Sequence, residues 1–183
     1  MKTIKKLFKW AFILFGAIIA LVIVVAIFSG DDEEVSTGTK TEVSTTSKTD
    51  QKAVANEKKF NAGISKTFGG MIINIAEVKV TEDKIVIGMN FENSTTSKLS
   101  FYPDQGSAII GSMQLSANMF MGSGEISGDI NSKVKMDGTI EYLAPEGKKI
   151  DVKNIKEIKL DMGDIYNEST YDAVTATIAI PVK

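Results

Sequence analysis

Apolar and polar positions divide this chain into three textures. From Trp10 to Phe28 no side chain is charged or strongly polar. From Gly30 to Lys59, "GDDEEVSTGTKTEVSTTSKTDQKAVANEKK", Ser, Thr, Lys and acids dominate and no apolar period is sustained. From Phe60 onward apolar residues return with a period of two. "KIVIGMNFEN" puts Ile85, Ile87, Met89 and Phe91 on one face, with Val86, Gly88 and Asn90 on the other. "VKMDGTIEYL" aligns Val134, Met136, Gly138, Ile140 and Tyr142, and "AVTATIAIPV" aligns Val174, Ala176, Ile178, Ile180 and Val182. Such alternation is that of half-buried strands. Further strands are predicted at Met71–Val80, Leu99–Tyr102, Ala108–Leu115 and Ile155–Met162. Turn signals separate them: "TEDK", "NSTTSK", "PDQGS", "GSGEISGD", "APEGKK" and "YNESTYD". A helix stays open around Ser116–Met121, and no internal repeat is expected. About seven or eight short strands in roughly 120 residues predict an all-β fold, an antiparallel β-sandwich over 60–183.

The first texture predicts a membrane anchor. At about 1.5 Å per residue, Trp10 to Phe28 spans roughly 28 Å as a helix, close to the roughly 30 Å hydrocarbon core of a bilayer. A secretory signal has an apolar core of only about 7–15 residues with small residues at its cut site. Here Ile27 and Phe28 stand where small residues should be, and Val24-Val25-Ala26 lies inside the apolar run. Lipid attachment needs a Cys, and the chain has none. The reading is an uncleaved signal anchor over 10–29, whose apolar surface includes Trp10, Phe12, Leu14, Ile18, Leu21, Val24, Ile27 and Phe28. Lys2, Lys5, Lys6 and Lys9 crowd its N-terminal side, so residues 1–9 are expected inside and the rest of the chain outside the cell membrane. Gly16 and Ala20 form one small-xxx-small pair of the kind that lets two membrane helices approach closely.

The second texture cannot bury enough surface to offset its ordering entropy. Residues 30–59 are expected to be a solvated tether, with room for a short weak helix over Lys52–Lys59.

Composition changes the picture mainly by exclusion. There is no His, no Cys and no Arg, so all 21 basic residues are Lys, and the net charge is −2. Disulfides, zinc thiolates and thiol nucleophiles are ruled out. The commonest general base is missing, as is the guanidinium fork preferred for phosphates and guanine edges. No nucleic-acid partner is expected.

The order "IVIGMNFENSTTSKLSFYP", then "GSGEISGDINSKVKMDGTIEYLAPEGKKI", then "IKEIKLDMGD" and "VTATIAI", resembles the immunoglobulin-like domains of unknown function found on exported, membrane-anchored Gram-positive surface proteins. The shared features are a strand ending at an Asn turn, here Asn93-Ser94, and a glycine-led strand closing on an aromatic and a Pro, here Gly138, Tyr142 and Pro145. The resemblance covers about Phe60 to Lys183. It implies an immunoglobulin-like sandwich and an envelope location, with no catalytic residues. Many relatives are lipoproteins, and this chain departs from them in lacking the lipid-bearing Cys.

Candidate chemistry is sparse. Ser132–Lys135, "SKVK", has the spacing of a Ser-x-x-Lys acylation motif, but that motif works at a helix start and no helix is predicted there. Asp161, Asp164, Asn167 and Glu168 in "DMGDIYNES" are hard oxygen ligands suited to calcium, without the order of an EF-hand loop. Met119 and Met121 are thioethers able to hold Cu(I), though Met more often fills gaps in cores. Asn93 and Asn167 match glycosylation sequons. No catalytic residue, cofactor or definite metal site emerges, and the chain does not read as an enzyme. The function expected is a membrane-anchored, extracytoplasmic module that binds an envelope or surface protein. The alternatives are a small-ligand or calcium-binding module and an accessory subunit of a membrane complex.

Overall fold

Each alternating segment becomes an antiparallel strand because only pairing satisfies its backbone while one face is buried. The structure, a computed structural model, describes residues 35–38 and 56–182. Its strands are β1 (Lys58–Phe68), β2 (Met71–Val80), β3 (Lys84–Asn93), β4 (Leu99–Phe101), β5 (Ser107–Ile110), β6 (Met113–Ala117), β7 (Ser123–Gly124), β8 (Gly128–Ile130), β9 (Lys135–Leu143), β10 (Glu157–Asn167) and β11 (Ala173–Pro181). Two 3₁₀ turns, at Pro103–Gln105 and Val152–Asn154, complete it.

Hydrogen bonds connect the strands in the order β1-β2-β3-β9-β6-β5-β10-β4-β8, with β11 on the other edge of β10 and β7 on β9. Every pairing is antiparallel. The β5–β6 hairpin passes from one layer to the other, since β6 bonds to β9 and β5 bonds to β10. At the far end β1 and β11 come together again. The result is a two-layered, sandwich-like all-β fold. Between the layers lie Ile73, Ile85, Met89, Leu115, Tyr142, Leu160 and Ile178, all buried. Phe91 of β3 meets Phe101 of β4 edge to face, ring centroids 5.3 Å apart, a pairing worth about 0.5–1.5 kcal/mol beyond the area it buries.

Two slips in the apolar alternation mark bulges. In β2 the buried set runs Met71, Ile73, Ile75 and then Val78, Val80, and the pairing with β3 shifts between Ile75 and Val78. In β10 it runs Ile158, Leu160, Met162 and then Ile165, with a shift between Asp161 and Asp164 where Gly163 adopts φ +79°. One extra residue on one strand returns the next apolar side chain to the core.

Several expectations are corrected. Ala108–Leu115 is not one strand but the β5–β6 hairpin, turned at Gly111 with φ +57°. No helix forms at 116–121: Ser116 and Ala117 end β6, and a turn follows in which the Met121 amide donates to the Asn118 carbonyl. The strand expected at Ile155–Met162 runs on to Asn167, so the acidic "turn" is largely strand. Within the segment read as tether, Val35–Gly38 lies on the domain, with Val35 buried, and β1 begins at Lys58 in place of a helix end. The anchor residues, the four N-terminal lysines and Gly16 and Ala20 lie outside the described residues. Among the described residues no helix is long and apolar enough to cross a membrane.

Candidate interaction site

The segment after β6 is laid along β9 by glycines. A Cβ at Gly122 would stand 2.5 Å from the Thr139 carbonyl oxygen, one at Gly124 2.2 Å from that of Asp137, and one at Gly138 2.1 Å from that of Ser123. Only glycine permits backbones this close. The contact is then bonded. Asn118 N donates to Glu141 O (2.8 Å), Ser123 N to Thr139 Oγ1 (3.1 Å), and Glu125 N to Asp137 O (3.1 Å).

Between these anchored points the chain displays Met119, Phe120 and Met121, which are 52%, 86% and 60% exposed. The Asn118 carboxamide accepts the Phe120 amide, shaping the turn at the chain's own expense of one side chain. A large apolar triplet exposed on a base bonded to β9 does not serve as core filling.

Beside the triplet opens a cleft of about 350 Å³, with Met119 and Met136 on its apolar side and Asp104, Asn118, Glu125 and Thr139 on its polar side. Ligand pockets of that size are mostly apolar and enclosing. This one is walled largely by glycine backbone and polar groups, and on its wall the Ser127 hydroxyl donates to the Asp104 carboxylate.

Tyr142 is wholly buried, and its hydroxyl has no hydrogen-bond partner among the described residues. Burial, and after it the charges of Asp104 and Asp161, push its pKa well above the ordinary 10.0. Because the folded-state value is raised, the stability conferred by the neutral phenol is complete below pH 10.0 and is lost as pH rises past it. Tyr142→Phe removes an unsatisfied polar atom. It is expected to hold or raise stability by up to about 1 kcal/mol at neutral pH and to flatten the alkaline loss. Urea midpoints across pH check this; a clear loss at neutral pH would mean that the hydroxyl is bonded.

The sequence-predicted residues are not brought into one site. Asp161 accepts the Gly163 amide (3.3 Å), Asp164 accepts the Thr175 hydroxyl (2.6 Å), and Asn167 Oδ1 accepts the Ser169 amide (2.9 Å). Glu168 pairs with Lys98 at 2.9 Å. Their oxygens are spent on different partners, and no group of three or more acidic side chains placed to hold a metal forms among the described residues. Lys98 also meets Asp129 at 2.9 Å, and these two hydrogen bonds, that of Glu168 first, hold its pKa above the ordinary range. Lys98, and then Ser100, in turn lower that of Asp129. Asn93 is fully buried, donating to Ser97 O (2.8 Å) and Ile130 O (2.9 Å) while accepting from Thr95, so its amide organises the β3–β4 turn. Ser132 and Lys135 go separate ways, to Thr95 O and to Glu92.

No protein-family model matches the chain, and no curated protein matches it. Among solved structures it is similar to a functionally unknown protein from Listeria monocytogenes EGD-e, at 11% identity over 69% of this chain and 87% of that one, TM-score 0.46. It is also similar to the GAE domain of yeast GGA1, at 10% identity over 63% of this chain and 96% of that one, TM-score 0.37. Likenesses this distant carry nothing about function to this chain.

Proposed function

We propose that the chain is a non-catalytic, membrane-anchored module with an immunoglobulin-like sandwich outside the membrane. It binds a protein of the envelope through Met119, Phe120 and Met121. The observation that carries the reading is Phe120, 86% exposed on a segment bonded to β9 on both sides of it. The apolar run Trp10–Phe28 and the four N-terminal lysines support the anchor and its direction. The shallow, polar-walled cleft supports a protein surface over a small ligand as partner.

Phe120→Glu tests the reading. An exposed side chain contributes little to folding, so the urea midpoint should shift by no more than about 0.5 kcal/mol. A complex extracted from the native envelope in mild detergent should be present with the natural chain and absent with the variant, as read by native size. A complex of unchanged size would refute this surface.

A further inference from the structure

The outward face of the β2–β3–β9 layer holds a seat for an extended peptide, filled here by Val35–Gly38. Ser36 N donates to Glu77 Oε2 (2.8 Å) and Ser36 O accepts from Glu77 N (3.2 Å). Asn90 Nδ2 donates to Thr37 O (2.8 Å), and the Asn90 carboxamide is oriented by Asn74 Nδ2 (2.8 Å). Thr37 Oγ1 donates to Asp137 Oδ2 (3.2 Å). The floor is Gly88, where a Cβ would meet the Ser36 carbonyl oxygen at 2.1 Å. Val35, 4% exposed, is buried with it. The seat therefore reads a small apolar residue, an extended backbone and one hydroxyl: Val-Ser-Thr.

Against the expectation of no internal repeat, that motif occurs twice. Residues 34–41 read "EVSTGTKT" and residues 42–49 read "EVSTTSKT", differing only at Gly38 against Thr46 and Thr39 against Ser47. We propose that the seat around Gly88 takes either copy, Val35–Gly38 or Val43–Thr46, so that the linker is clipped to the domain in one of two registers. Every group the seat bonds through Val35, Ser36 and Thr37 has its equivalent in Val43, Ser44 and Thr45. The fourth position sets the preference. Gly38 adopts φ +80°, and a Cβ there would lie 3.0 Å from Ala76 Cβ. A β-branched Thr46 in that conformation is strained, which makes the second register roughly tenfold or more the weaker. Exchange of one copy for the other releases a further eight residues of chain ahead of the clip, roughly 26 Å when extended. The seat thus offers two tether lengths from one site.

The chain has no Cys, so introduced thiols are unique. In the full chain Asp137→Cys is combined in turn with Thr37→Cys, Thr45→Cys and Thr41→Cys, and a short thiol crosslinker is applied. The Thr37 pair should link almost completely and the Thr45 pair at about a tenth of its rate. The Thr41 pair, nearer along the chain to the docked residues but out of register, should link tenfold more slowly still. Adding Gly38→Thr should bring the first two rates together. A Thr45 pair no faster than the Thr41 pair, a Thr37 pair that fails to link, or a ratio unmoved by Gly38→Thr would each overturn the proposal.

Discussion

Ile178→Asp is expected to leave the domain unfolded, whereas Ala179→Asp, one residue on, is expected to be harmless. Ile178 lies in β11 opposite Leu160 of β10, both buried between the layers. A carboxylate there has no partner and no water, a cost of several kcal/mol against a total stability of about 5–15 kcal/mol. Ala179 points to the exposed face, opposite Lys159. An Asp at that position meets a cross-strand lysine and should change stability by less than about 1 kcal/mol. Far-ultraviolet circular dichroism and urea midpoints of the two variants read the register of the last strand. Equal losses would mean that both faces of β11 are covered; a folded Ile178→Asp would mean that the core does not include this strand.

Gly138→Val carries the second large effect. At this position β9 bonds to Met89 of β3 on one side and to Gly124 of β7 on the other. An added Cβ meets Ser123 O at 2.1 Å and Ile126 Cγ2 at 2.7 Å. The first of these is backbone, so no rotamer change relieves it, and overpacking of this kind costs about 1–3 kcal/mol or more. The expected consequence is selective. The segment from Asn118 to Ser127 should lift off β9 while the β2–β3 pairing persists. Hydrogen exchange at the Ser123 and Glu125 amides, which donate to Thr139 and Asp137, should accelerate far more than at the Ile85 and Ile87 amides. Uniform acceleration would show that the segment is not a separable layer.

Where one face of a strand is apolar and the other polar, the alternation was enough. Met71–Val80, the buried face of β3 and the run Ala176, Ile178, Ile180 follow directly from it, and even the bulges in β2 and β10 are written as phase slips. Errors fell where alternation is uninformative. Ile109, Ile110, Met113 and Leu115 read as one run because a glycine turn between two apolar strands hardly interrupts hydropathy. Asp161, Asp164, Asn167 and Glu168 resembled one acidic cluster, whereas Asp161 and Asp164 form the solvent side of β10, with the inward Met162 between them. The Met119–Met121 triplet could have been core filling; its exposure depends on glycine contacts between Gly122, Gly124 and β9 that are distant in sequence. The seat for Val35–Gly38 was hidden by the polar composition of that stretch, and its visible signal, the recurrence of "EVST", gains meaning only with Gly88 beneath it.

A photo-reactive side chain placed at Phe120 of the full-length protein, compared with the same group at exposed Lys66 of β1, tests the central claim most directly. Irradiation in the native envelope is predicted to give one discrete protein adduct from position 120 and none from position 66. The same adduct from both positions, or none from position 120, would contradict the assignment of this surface to partner binding.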